Sequence, residues 1–269
     1  MNSAQKIIKY LAIAFAFLLI FNIMSLIMST ALFISNIFNN NSDKQEIIDI
    51  KKLEVNNDIK SLTIDVATSN IIIKIADNFS INTDNEYIKL NQNDNIVNIK
   101  EKNHNLINNE SSNLIISIPK DYVLDTINVA TGAGTIEIEK LSTKTLNLDL
   151  GAGKVDINNL EVFTSTKING GAGEVNINNS SLNNLDLDMG IGKFNLNAKI
   201  LGNSKIDQGV GESNLNLIGT QDDYQINLNK GLGTSIINGN EVKDKTTVGI
   251  GINKIDIDGG IGSIRINFS

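Results

Sequence analysis

The chain has no cysteine and no tryptophan, and only one proline (Pro119), one histidine (His104) and one arginine (Arg265) in 269 residues. The lack of cysteine excludes a disulfide scaffold, a thiolate zinc site, thiol catalysis and lipid attachment through an N-terminal cysteine. A single histidine and a single arginine leave little of the usual catalytic and recognition chemistry. No acidic residue precedes Asp43, and Lys6 and Lys9 are the only bases before it, so residues 43–269 carry 30 acids against 21 bases, a balance of −9. A nucleic-acid binder needs a basic stripe, because phosphate neutralisation dominates its affinity, and none is present. Attraction to anionic lipid or an anionic wall polymer is disfavoured on the same grounds. Asparagine is abundant, with 42 copies against 21 glycines. AT-rich codon usage accounts for that excess without implying a ligand.

Between Tyr10 and Ser42 there is no charge, and residues 11–34 form an apolar run of 24 (LAIAFAFLLIFNIMSLIMSTALFI). As a helix this run spans about 36 Å, against roughly 30 Å of bilayer hydrocarbon. A cleaved signal peptide has a hydrophobic stretch of about 7–15 residues ending at a small-x-small site. Ser29-Thr30-Ala31 is a poor cleavage site inside a much longer run, so a retained anchor is expected. Lys6 and Lys9 place the N-terminus in the cytoplasm by the positive-inside rule. The expected organisation is a cytoplasmic N-terminus (1–10), a transmembrane signal anchor (11–35) and a linker (36–59), with everything after the anchor outside.

The body of the chain is periodic. Gly-x-Gly recurs with its first glycine at 132, 151, 171, 190, 209, 231, 249 and 260, at spacings of 19, 20, 19, 19, 22, 18 and 11. Around each copy the apolar residues alternate with polar ones: Leu146, Leu148 and Leu150 before one corner, then Val155 and Ile157 after it. Period two means half-buried strands, and the one-residue slip at the glycines means that the chain turns while keeping its apolar face inward. The middle residue of each tripeptide is apolar (Ala133, Ala152, Ala172, Ile191, Val210, Leu232, Ile250, Ile261) and is expected to point into the core. A third apolar point follows at Leu141, Leu160, Leu182 and Ile200. Two strands, a corner and a short third side in about 19 residues describe one coil of an all-β, parallel β-solenoid.

Stacked coils place equivalent positions about 4.8 Å apart. The column three residues after the first glycine reads Thr135, Lys154, Glu174, Lys193, Glu212, Thr234, and its alternating sign through four coils supports in-register stacking. Residues 60–118 have strand character without Gly-x-Gly and read as irregular coils covering one end, a separate small β-domain being the alternative. Residues 119–269 read as the Gly-x-Gly solenoid, with the compressed last copies, ending at Phe268, as the opposite cap.

The stretch LIISIPKDYVLDTINVATGAGTIEIE (114–139), the repeated GAG and GIG corners and the ending GGIGSIRINF resemble the putative-adhesin β-strand-repeat family, DUF4097, over roughly residues 60–269. The resemblance implies an envelope-facing β-solenoid, often on a membrane anchor, with some relatives associated with Gram-positive envelope-stress systems. It supplies no catalytic residues.

Sharper readings of the corners fare poorly. A phosphate loop needs Gly-Lys-Ser/Thr or a Gly-rich turn entering a helix, whereas here glycines join strands. Calcium-binding nonapeptides need G-G-x-G-x-D, but Gly170-Gly171-Ala172-Gly173 continues as Glu174-Val175. Asp188 and Asp207, two residues before successive corners, would lie about 5 Å apart and could share a hard cation; a solvated Asn/Asp ladder balanced by Lys167 and Lys205 is the plainer reading. Asp186 and Asp188 share one strand face, and His104 and Arg265 lie in a polar turn and the terminal coil; all read as surface residues. No catalytic, cofactor or metal residue is therefore assigned, and an enzyme is not expected. The expected function is binding, adhesion or display at the cell envelope. The alternative is an envelope-stress accessory that contacts a membrane sensor or transporter or captures cationic peptides. Sparse aromatics in the repeats (Phe163, Phe194, Tyr224, Phe268) favour a protein or peptide partner over a glycan.

Overall fold

The computed structural model describes residues 50–55, 58–102 and 112–269. The chain divides into two compact units, residues 1–46 and 47–269, and every described residue belongs to the second. The expected cytoplasmic segment, the anchor at 11–35, most of the linker and His104 lie outside the described residues. Among the described residues no helix is long and apolar enough to cross a membrane.

Among the described residues the second unit is all-β, and its main strands stack in parallel as nine layers. Layer 1 is Ile96–Glu101 with Asn113–Pro119, and layer 2 is Ser61–Val66 with Asn70–Ala76. Layers 3 to 7 follow the chain: Val123–Ile138, Leu141–Asn158, Leu160–Asn183, Leu185–Leu201 and Asn203–Leu217. Layer 8 is Asn253–Phe268, and layer 9 is Tyr224–Asn229 with Leu232–Ile237. Each layer presents its alternating apolar residues inward. Leu146, Leu148, Val155 and Ile157 are buried, as are the third-side residues Leu141, Leu160, Leu182 and Ile200. At roughly 1.5–3 kcal/mol for each large aliphatic side chain withdrawn from water, this continuous column of Ile, Leu and Val supplies the main driving force.

The order of layers departs from the order of the chain at both ends. Residues 96–101 and 113–119 lie outside residues 61–76, and residues 224–237 lie outside residues 253–268. The chain therefore does not end in a cap at Phe268: its last strand is an inner layer, pinned between 203–217 and 224–237. The short final spacing has the same origin. Gly249 is no corner of the stack; it lies against the backbone of Gln221 and Tyr224 as the chain returns from layer 9 to layer 8.

Open sheet edges invite association, and here antiparallel flaps cover them. Ile88–Asn93 and Ser80–Thr83 pair with layer 1, and Lys51–Leu53 extends the latter. At the far end Thr246–Val248 and Asn240–Glu241 pair with layer 9.

The corners explain the glycines and overturn one expectation. At Gly153, φ is +148°, and a side chain there would collide with the Gly134 carbonyl oxygen of the layer below. The first glycine of the tripeptide meets the same obstacle: a Cβ on Gly151 would strike the Gly132 carbonyl oxygen. Both glycines thus direct their absent side chains along the stack, which breaks the in–out alternation. The middle residue is left on the convex side. Instead of entering the core, Val210 is 40%, Ile261 54% and Leu232 74% exposed, while Ala133, Ala152, Ala172 and Ile191 are half-buried by their column neighbours. Ile250, outside the stack, is also exposed.

Candidate functional site

In-register stacking turns every outward position into a column running through the layers. On the arm after the corner, the predicted charge column is formed: Lys154 faces Glu174, Glu174 faces Lys193, and Lys193 faces Glu212. Beyond Glu212 comes Ser263 rather than Thr234, because layer 8 intervenes. Partial burial pulls the Lys154 ammonium pKa down. A hydrogen bond to Asp156 and the attraction of Asp156, Glu174 and Glu137 outweigh it and hold the value above the ordinary lysine range.

Two positions further on, a ladder of side-chain amides runs up the same arm. Asn176 donates to Asp156 (2.7 Å), Asn195 to Asn176 (2.6 Å), Asn214 to Asn195 (2.9 Å) and Arg265 Nη1 to Asn214 (3.4 Å). Arg265, exposed in layer 8, thereby ends a ladder instead of facing a cleft. At the other end of this column Glu137 faces Asp156. Burial, with the Asp156 charge beside it, raises the Glu137 pKa against the opposing pull of Lys154.

The arm before the corner carries a run of aspartates. Asp188 and Asp207 face one another in adjacent layers, as the repeat spacing implied. Asp258 is next to Asp207, a neighbour that chain order had hidden, and Asn229 closes the run by donating to Asp258 (2.6 Å). The parallel column reads Asp186, Lys205, Asp256, Asn227 through the same layers. Lys205 forms an ion pair with Asp207 at 2.5 Å. That hydrogen bond, with the charges of Asp207, Asp258 and Asp186, keeps the Lys205 ammonium above the ordinary lysine range. Among the described residues no group of three His, Cys, Asp or Glu side chains is placed to hold a metal ion.

Inside the corner the core changes character along the stack. The inward position before the corner is Thr131, Leu150, Gly170, Met189, Gln208 and Gly259 in layers 3 to 8. The space that a Gly170 side chain would fill is taken by the Met189 sulfur. Two cavities lie here, one beside Leu150, Gly170 and Met189 and one beside Gln208, Gly259 and Lys230, each of about 10 Å³. That volume admits about one water molecule. Gln208 is 7% exposed, and its Oε1 has no hydrogen-bond partner. Of the repeat aromatics, Phe194 and Tyr224 are buried, Phe268 packs on Tyr224 with centroids 5.9 Å apart, and Phe163 is exposed.

The layers define an all-β protein of stacked parallel coils whose outward chemistry is arranged in columns. The family model described as Toastrack DUF4097 matches residues 50–246, and the chain belongs to that family. Solved structures with some similarity include a putative cell adhesion protein from Clostridium sporogenes ATCC 15579 (14% identity, TM-score 0.35, covering 82% of this chain and 99% of that one). Two others are putative adhesins. That from Bacteroides fragilis NCTC 9343 has 12% identity and TM-score 0.35, covering 81% of this chain and 95% of its own. That from Parabacteroides merdae ATCC 43184 has 13% identity and TM-score 0.37, covering 82% and 95%. At these scores the likenesses carry no argument about function. No curated protein matches the chain.

Proposed function

We propose that this chain is a non-catalytic binding, adhesion or display module of the cell envelope, carried on a single-pass anchor at residues 11–35 with its N-terminus in the cytoplasm. The observation that carries the reading is the columnar surface: outward positions repeat from layer to layer and offer many shallow, equivalent contacts rather than one cleft. Membership of the Toastrack family supports it, and the uncharged run of 24 residues behind Lys6 and Lys9 supports the anchor. With Tyr224 and Phe194 in the core, few aromatic faces remain for stacking on sugars, which favours a polypeptide partner.

Chemical cross-linking on intact cells, followed by capture of the full chain and mass spectrometry, tests the proposal. Recovery of an external protein supports adhesion. Repeated recovery of one sensor or transporter from the same membrane replaces adhesion with the accessory role, and no specific partner in either place refutes a binding role. Protection of residues 47–269 from external protease would overturn the topology.

A further inference from the structure

Two outward columns change together at layer 6. In layers 3 to 5 the corner position is alanine (Ala133, Ala152, Ala172), and the position three residues before it holds one acid, Asp149. From layer 6 the corner carries Ile191, Val210, Ile261 and Leu232, and the earlier position carries Asp188, Asp207 and Asp258 before closing with Asn229. The result is an apolar ridge whose exposure rises through Val210 (40%), Ile261 (54%) and Leu232 (74%), flanked along one side by the exposed carboxylates of Asp188 and Asp258, with Asp207 between them paired to Lys205 and its Oδ1 buried. Scattered exposed aliphatics need no explanation, but a contiguous column in four adjacent layers does.

The separation of ridge from acids is at most roughly 10 Å of extended backbone, so one ligand can touch both. Behind the acids, Asp186 and Asp256 flank Lys205, so the two acidic columns of layers 6 to 8 hold five carboxylates against one ammonium. The other flank of the ridge, Lys193, Glu212, Ser263 and Thr234, has no net charge. A second copy laid ridge to ridge would bring like-charged columns together, and an anionic lipid surface would meet the same repulsion.

We infer that the Ile191–Val210–Ile261–Leu232 ridge with its Asp188–Asp207–Asp258 flank is a docking surface for a cationic amphipathic polypeptide segment, its apolar edge on the ridge and its Lys or Arg edge over the carboxylates. The inference rests on the binding role proposed above and gives that role a place and a partner chemistry. Four layers span roughly 14 Å, the length of about ten helical residues.

The test uses the full chain in a neutral detergent and a photo-cross-linkable leucine–lysine peptide of about that length. Cross-links are expected on layers 6 to 9 around the ridge. The variant Val210→Ser/Ile261→Ser/Leu232→Ser should lower their yield about tenfold, the equivalent of ~1.4 kcal/mol. Because loss of apolar surface could disturb the last layers, Asp188→Asn/Asp258→Asn is the second variant. Asparagine occupies the same column at Asn169 and Asn229, so folding should be kept while yield and its salt dependence fall. Cross-links scattered over other faces, or a yield that neither variant changes, overturn the ridge while leaving the intact-cell result standing. Ridge-to-ridge cross-links between copies without peptide overturn it in favour of self-association. Absence of any cellular partner, with peptide still captured at the ridge, separates failure of the binding role from failure of the surface.

Discussion

Replacing Glu174 by lysine reverses the centre of the stacked charge column. Glu174 lies between Lys154 and Lys193 in adjacent layers, and all three side chains leave the sheet in the same direction. At about 5 Å and near-aqueous dielectric, one such contact is worth roughly 0.8 kcal/mol, and physiological salt with its ~8 Å Debye length about halves it. The substitution removes two attractions and installs two repulsions, so the cost comes to about 1–2 kcal/mol. For a domain of this size that lowers Tm by about 3–6 °C. Lys154 is held in place by its ion pair with Asp156 at 2.7 Å, which limits its escape from the new neighbour. The control is Glu161→Lys, at an exposed position whose layer neighbour is Ser142; it should move Tm by about 1 °C or less. Thermal melts by circular dichroism at low salt and at 1 M NaCl, where screening falls to about 3 Å, separate the terms. Equal shifts for the two variants, or a Glu174→Lys deficit that salt does not shrink, would falsify the column electrostatics.

Three further outcomes follow from individual sites. Gly153→Ala should cost about 3 kcal/mol or more, because φ is +148° and the methyl would meet the Gly134 carbonyl, whereas Gly239→Ala, with open space around it, should cost only about 1 kcal/mol; urea melts of both decide this. Glu137→Gln should stabilise by about 0.5 kcal/mol at pH 7 by removing the repulsion with Asp156. The Glu137 pKa is raised in the fold, so the native state carries its penalty above the ordinary glutamate range and is relieved as pH falls through the raised value. The gain should therefore vanish in melts below about pH 4; a gain that persists in acid refutes the charge explanation. Gln208→Met, which carries the chemistry of Met189 one layer on, should raise stability by about 1 kcal/mol by removing an unpartnered buried oxygen. A loss of stability would mean that a water satisfies Gln208 in the 10 Å³ cavity beside it.

Much of the candidate surface was legible one layer at a time. The pairing of Asp188 with Asp207 and the alternation from Lys154 to Glu212 are consequences of a near-constant spacing, and both are formed. The Asp207–Asp258 contact and the exposed ridge were not legible. The first depends on which coil is the neighbour, and the second on where a side chain points at a corner, and neither is encoded in spacing.

The sequence by itself determined the coil: strict alternation can bury only one face, so Leu146, Leu148, Val155 and Ile157 had to be inside, and the one-residue slip in that alternation marked the turns. Only the tertiary structure decided the order of coils at the two ends. Strands 203–217, 224–237 and 253–268 carry the same alternation and the same corner, so local pattern leaves their stacking order open. The flaps at 240–241 and 246–248 pair with residues 224–237, so that layer is the covered, outermost one and the C-terminal strand lies inside it. The corner residues point outward for an equally non-local reason, since the carbonyl oxygens that block the glycine side-chain directions belong to the neighbouring layer.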